Sequence, residues 1–192
     1  MTADLSLSSV SKLHEKFQEA TGFYQTNQLT LAKQVCRQIL SANSQHAPTI
    51  HLLGLITSQE NQLPKAAELI QRAIDLDSVN PIYHRSLGAI LQHLGCFQDS
   101  VNAYQRVLSI VPNDHDIWND LGYSFKLLGE IDQAYEHFQK SIAILPNYPA
   151  FYNLGLFMQE RGQLEESIVY YKKSIAINPK CDQTYNNLGN VF

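Results

Sequence analysis

Residues 118–146, WNDLGYSFKLLGEIDQAYEHFQKSIAILP, decide how the whole chain is read. Apolar side chains and the small glycine fall at Trp118, Leu121, Gly122 and Phe125, the i, i+3, i+4, i+7 spacing of one helix face. Gly129 follows, a residue that accepts the left-handed backbone found at a helix C-terminus. A second row, Ala134, Phe138 and Ser141, keeps helical spacing and stops before Pro146. The stretch predicts two amphipathic helices joined by a tight turn.

The same letters recur along the chain. Leu-Gly pairs stand at Leu53-Gly54, Leu87-Gly88, Leu121-Gly122, Leu154-Gly155 and Leu188-Gly189, with glycines 34, 34, 33 and 34 residues apart. Twelve residues after each of the first four glycines comes a small side chain: Ala66, Ser100, Ala134 or Ser167. Sixteen after comes a large one: Ile70, Tyr104, Phe138 or Tyr171. Nineteen after come Ala73, Val107, Ser141 and Ser174, and the units close at Ser78, Pro112, Pro146 and Pro179. Extended backwards, the register puts Ala20 in the glycine column, with Ala32 and Cys36 after it. Asn27, Asn61, Gly95, Gly129 and Gly162 mark the mid-unit turns, and Pro64 falls at the start of a second helix, where proline is tolerated. The expected organisation is a lead-in at 1–12, repeats at 13–46, 47–80, 81–114, 115–147 and 148–181, and a partial sixth unit at 182–192.

The columns have a physical reason. Small residues stand where two helices must approach closely, and large ones fill the gap that the approach leaves. A single helix pair cannot bury its apolar face alone, so neighbouring pairs must stack into a continuous core.

This pattern resembles the tetratricopeptide repeat family, whose motif runs large aromatic, Leu-Gly, large, small, aromatic, small, proline. The fourth unit matches it best, through Trp118, Leu121, Gly122, Phe125, Ala134, Phe138, Ser141 and Pro146, and the likeness extends over about residues 13–192. The resemblance implies an all-α fold, a right-handed superhelical solenoid of antiparallel helix pairs. It further implies a non-catalytic protein–protein interaction module, whose first helices line a concave groove for a peptide or helix of a partner. In the family the free groove positions of the first helix are 2, 5, 6, 9, 12 and 13 of the repeat. Position 5 gives His51, Arg85, Asn119, Tyr152 and Asn186; position 6 gives Asp120, Asn153 and Asn187; position 9 gives Tyr123 and Leu156; position 12 gives Lys126. These eleven are the candidate peptide-binding residues. The same positions of the first two units also carry Phe17, Gln18, Thr21, Tyr24, Leu52, Leu55 and Ser58.

Two family grooves can be compared with those letters. The carboxylate clamp of co-chaperones needs lysines, asparagines and an arginine at set positions of three consecutive units, and no three units here supply them. The run Tyr185-Asn186-Asn187-Leu188-Gly189-Asn190 is similar to the repeats of bacterial O-linked N-acetylglucosamine transferase-like proteins, in which position-6 asparagines hold a peptide backbone. An amide suits that task because it donates and accepts at once. Asn153 and Asn187 fit; Gln18, Leu52 and Ser86 depart, so any ladder is confined to the C-terminal half. The alternative function implied is the substrate-recognition segment of a larger glycosyltransferase- or sulfotransferase-type protein.

Composition agrees with a folded interaction module. Hydrophobic residues are 44% and charged residues 17% of 192, a globular balance. A net charge of −4 with no basic stripe argues against nucleic acid, and no run nears the ~18 apolar residues of a membrane helix. The first residues, MTADLSLSSVSK, show no basic-then-apolar secretory pattern. Cys36, Cys96 and Cys181 are odd in number and without a CxxC, which suits a reducing, cytoplasmic setting. Cys36 occupies a core column, whereas Cys96 and Cys181 fall at turns. Phosphate-loop, zinc-protease and hydrolase motifs are missing, and no cofactor is expected. His84 and His93 lie nine residues apart and His46 and His51 flank a repeat boundary, so the histidines are expected to be solvated or half-packed and not metal ligands. Tyr185, Leu188, Val191 and Phe192 of the unfinished unit are expected to pack on one side only, which suggests self-association through that edge.

Overall fold

The computed structural model describes residues 2–191, with side chains from Ser11 to Val191. Among the described residues there are eleven α-helices and no strand. They are α1 (Thr2–Gln25), α2 (Leu29–Ala42), α3 (Ala47–Gln59), α4 (Leu63–Leu76), α5 (Pro81–His93), α6 (Phe97–Ile110), α7 (His115–Leu127), α8 (Ile131–Ile144), α9 (Tyr148–Glu160), α10 (Leu164–Ile177) and α11 (Asp182–Gly189). The contacts divide them into two compact units, Met1–Gly95 and Cys96–Phe192. In the first, α1 packs on α2 and α3 on α4, with α2 on α3 and α4 on α5 joining successive pairs. In the second, α7–α8 and α9–α10 are the pairs, α6 packs on α7, α8 on α9 and α10 on α11.

Each pair turns where a residue takes positive φ: Asn27 (58°), Asn61 (60°), Gly95 (77°), Gly129 (82°) and Gly162 (72°). Four of these turns close with the two bonds that satisfy the last carbonyls of a helix. In the α7–α8 turn Gly129 N–H donates to the Lys126 carbonyl (3.0 Å) and Glu130 N–H to that of Phe125 (2.9 Å). Asn27 and Gln28, Asn61 and Gln62, and Gly162 and Gln163 repeat the arrangement. At the other end, Asn80, Asp114 and Asn147 cap α5, α7 and α9, each side-chain oxygen accepting from a first-turn N–H.

The glycine column exists because there is no room for a methyl group. A Cβ on Gly54 would lie 2.7 Å from Ile70 Cγ1, one on Gly122 2.8 Å from the Phe138 ring, and one on Gly155 2.5 Å from the Tyr171 ring. Each partner is the large residue sixteen positions later, and each is fully buried. Where that partner is the smaller Cys36, the first helix carries Ala20, and both are likewise buried in the cluster with Val35, Ile39 and Ile56. The serines of the small columns hold the pairs together through polar bonds inside the core. Ser141 Oγ donates to the His115 carbonyl (2.7 Å), and Ser174 Oγ repeats this with the Tyr148 carbonyl (2.9 Å). Ser167 Oγ donates to the Gly155 carbonyl (2.9 Å).

Two histidines depart from the expectation of solvated or half-packed rings. His51 and His84 are buried. His84 Nε2 donates to the Ser78 carbonyl (2.9 Å), and the His51 ring lies on that of Tyr83 with centroids 4.7 Å apart. Helical spacing fixes the face on which a side chain lies; its depth is set by what packs on that face, here α5 for His51 and the α4–α5 connection for His84.

Candidate functional site: the concave faces of the first helices

A depression lies on the face made by the first helices in each unit. In the second unit α7, α9 and the start of α11 enclose about 580 Å³. Seven of the eleven candidate residues line it: Asn119, Asp120, Tyr123, Lys126, Tyr152, Asn153 and Leu156. Tyr148, Pro149, Leu127, Cys181 and Gln183 complete the wall. Leu127, Pro149 and Gln183 stand at groove positions 13, 2 and 2 of their repeats but were not among the eleven candidates, whereas Tyr148 and Cys181 fall outside those positions. In the first unit α1, α3 and α5 enclose about 420 Å³, and His51 is the one candidate residue on its wall. Arg85, Asn186 and Asn187 line neither depression.

The first helices are tied to one another by a repeating side-chain bond. Position 5 of one repeat meets position 6 of the next, 34 or 35 residues on. Asn153 Nδ2 donates to Asn119 Oδ1 (2.9 Å), Asn187 Nδ2 donates to Tyr152 Oη (3.0 Å), and His51 Nε2 bonds Ser86 Oγ (2.9 Å). Ser86 Oγ itself donates to the Ile82 carbonyl (3.0 Å), so its lone pair receives the proton and the His51 Nε2–H is the donor. Position 12 meets position 13 in the same way: Gln59 Nε2 donates to Tyr24 Oη (3.2 Å), and Lys126 Nζ pairs with Glu160 Oε1 (2.8 Å).

These bonds change the reading of the asparagines. The sequence sets Asn153 as a side chain open to the groove, yet it is 8% exposed, with one amide proton committed to Asn119. Asn187 spends its amide on Tyr152. What the wall offers openly is Tyr123, Tyr148 and Leu127, all exposed, beside the half-buried Leu156, Tyr152 and Lys126. The surface there is mixed: aromatic and aliphatic faces, one acid (Asp120), one lysine already paired, and an amide pair on the floor. Such a surface can take apolar side chains and exchange hydrogen bonds with a backbone.

The two walls differ in charge. The 420 Å³ depression is lined by Phe17, Thr21, Tyr24, Gln25, Pro48, His51, Leu52, Leu55, Asn80, Ile82 and Tyr83, without a carboxylate, lysine or arginine. Burial holds the His51 imidazole down at a pKa of about 4, so it is neutral near pH 7. Phe17, Thr21, Tyr24, Leu52 and Leu55 all stand at the family's groove positions. Their letters are readable in sequence, but not that they close around one space with Tyr83.

Burial raises the Cys36 thiol to about 11, which makes it inert; Cys96 is exposed and Cys181 half-buried. Among the described residues no three His, Cys, Asp or Glu side chains converge as metal ligands, and no helix is long and apolar enough to cross a membrane.

Comparison with known proteins supports the repeat reading. Residues 115–148 match the family model described as a tetratricopeptide repeat, and residues 159–192 match a second one described as a TPR repeat. The BBSome complex member BBS4 homolog of Drosophila melanogaster is 22% identical over 155 residues, covering 80% of this chain and 32% of that protein. This chain spans a third or less of the length of the curated relatives it matches. Among solved structures, MamA superposes with a TM-score of 0.75 at 22% identity, over 85% of this chain and 96% of that one. YrrB, described as a TPR protein with an unusual peptide-binding site, superposes with a TM-score of 0.73 at 20% identity, over 89% of each chain. The fold is that of tetratricopeptide-repeat solenoids. The likeness of two C-terminal repeats to glycosyltransferase-type proteins is not carried by these comparisons.

Proposed function

We propose that this tetratricopeptide-repeat chain is a non-catalytic interaction module that holds a peptide segment of a partner protein in the 580 Å³ depression on α7, α9 and α11. One observation carries the reading: seven of the eleven candidates picked from groove positions of the repeat, four of them on α7 and three on α9, line a single space. Its geometry suits a segment whose apolar side chains lie on Tyr123, Tyr152 and Leu156. The backbone of that segment would exchange hydrogen bonds with the Asn119–Asn153 pair. YrrB, a neighbour in fold described as having an unusual peptide-binding site, supports peptide binding as the kind of activity. A cytoplasmic location fits the thiol-only cysteines. Arg85, Asn186, Asn187 and His51 lie outside this depression.

A second reading has one observation in its favour. The matched curated relatives are all much longer than this chain, so a recognition segment serving a larger protein, of glycosyltransferase or other type, is the alternative.

The test is selection of peptides from a random display library on the immobilised protein, followed by fluorescence anisotropy of the selected peptide. Tyr123→Ala and Leu156→Ala should each weaken binding by about tenfold or more, as truncated anchors do. Lys172→Ala, on the exposed face of α10, should leave it unchanged. Peptides that bind both groove variants as tightly as the parent protein would refute the assignment.

A further inference from the structure

A first helix is closed over by the large residue of the helix that follows it. Ile70, Phe138 and Tyr171 lie so near Gly54, Gly122 and Gly155 that a Cβ there would come within 2.7, 2.8 and 2.5 Å of them. Helix α11 carries the same first-helix letters in Tyr185, Leu188 and Gly189, yet they stay open. Their equivalents in α9, Phe151 and Leu154, are 8% and 0% exposed, and Gly155 is buried. Tyr185 is 47% exposed, Leu188 is half-buried, and a Cβ on Gly189 would meet nothing within 4 Å. The side of α11 that is held lies around Thr184, fully buried 3.5 Å from Ser174 Oγ, and Asn187, bonded to Tyr152 (3.0 Å).

The repeat itself specifies what fits such a face. A second helix brings a small residue, a large one four positions later and a third three positions after that, as in Ala66-Ile70-Ala73 or Ser100-Tyr104-Val107. In α2, α4, α6, α8 and α10 that stripe is already buried. The chain holds one more. Helix α1 has 24 residues where α3, α5, α7 and α9 have 13, and it begins at Thr2, well ahead of residue 13, where the repeat register opens. In that extension Ala3, Leu7 and Val10 stand at the same spacing, which helical periodicity puts on one face. The extension is long enough to run the length of α11, eight residues from Asp182 to Gly189.

We propose that the α1 extension of one copy of this chain packs on α11 of another as the second helix of that unit, setting the Ala3-Leu7-Val10 stripe against Tyr185, Leu188 and Gly189. Glycine and alanine let the two backbones approach, and Leu7 fills the space over Gly189. The contact joins two different surfaces, so it is head-to-tail and continues into rings or short filaments. It goes beyond the peptide groove and does not depend on it.

The test is sedimentation velocity of the whole chain from about 10 μM to about 1 mM, with a dissociation constant on the order of 0.1 mM expected for so small an interface. Species larger than a dimer should grow in with concentration. Leu7→Asp disables the inserting helix, and Gly189→Glu blocks the seat at an exposed position with open space around it. Each alone should weaken association by at least about tenfold, with an unchanged thermal melt to show that the fold is kept. Mixed in equal amounts, the two should form a dimer of parental affinity and nothing larger, because each retains one working half. Tyr123→Ala should associate as the parent does, so failure of this contact and failure of the peptide groove are told apart. The proposal is overturned by a monomer at every concentration or by a mixture that stays monomeric. It is equally overturned by association that survives Leu7→Asp, as two α11 faces meeting each other would give, or by association lost in Tyr123→Ala.

Discussion

Replacing Gly155 by alanine tests the packing rule on which the repeat rests. The added methyl carbon would sit 2.5 Å from Cδ1 and Cε1 of Tyr171 and 3.2 Å from its Cγ. That ring cannot step aside easily: Tyr171 is fully buried, and its hydroxyl donates to Gln159 Oε1 at 2.6 Å. Overpacking of this kind costs about 1–3 kcal/mol, and the clash places the cost in the upper part of that range. Alanine recovers up to about 1 kcal/mol through its better helix propensity. The expected net loss is about 1–2 kcal/mol, or several degrees in the unfolding midpoint for a chain of this size. Gly22 is the matched control, since it lies within α1 with nothing within 4 Å of its missing Cβ. Gly22→Ala should stabilise by about 0.5–1 kcal/mol. Thermal and urea unfolding of both variants, with Tyr171→Leu added to complete a double-mutant cycle, would show a coupling above about 1 kcal/mol between positions 155 and 171. The reasoning fails if Gly155→Ala is neutral or stabilising, or if the cycle shows no coupling.

His51 makes stability depend on pH. Its folded pKa is depressed to about 4 from 6.5, so the stabilising neutral form is fully favoured above pH 6.5. The advantage is lost as pH falls from 6.5 towards 4, at most about 3 kcal/mol over that window. His46 and His137, also lowered by burial, act in the same direction, and His51→Gln should flatten the slope in urea melts taken between pH 4 and 7. Asn153→Ala should cost about 1 kcal/mol through the lost bond to Asn119. Asn186→Ala, at an exposed site, should cost nothing measurable by the same melt. Alkylation by iodoacetamide at pH 8, read by mass spectrometry, should label the exposed Cys96 promptly and leave Cys36 untouched until the chain unfolds.

What was readable in the letters was whatever depends on neighbours along the chain or one repeat away. The five turn residues and the Leu-Gly, small and large columns are of this kind: each is fixed by local backbone geometry or by the close approach of two helices in one pair. The small and large residues change together, as Ala20 does with Cys36, because they share one space. The depth of a side chain was not readable. His51 and Asn153 stand on the expected face, yet a neighbouring first helix, α5 for His51 and α7 for Asn153, packs against them and bonds them. The bonded partner lies 34 or 35 positions away, and many residue types can fill that role. Nor could position alone show that the first unit's groove residues close around an uncharged space, since that depends on Tyr83 and Ile82 of α5 joining residues of α1 and α3.

The side-by-side bonds between first helices also bear on how a ligand is judged. On the floor of the second unit's groove, Asn119 and Asn153 already answer one another. A newcomer that merely carries polar atoms gains little there, because it must displace a bond as good as the one it brings. Exchanging one such bond for another is near neutral and discriminates little. For a peptide held there as proposed, the decision would be left to shape and to the fit of its side chains on Tyr123 and Leu156.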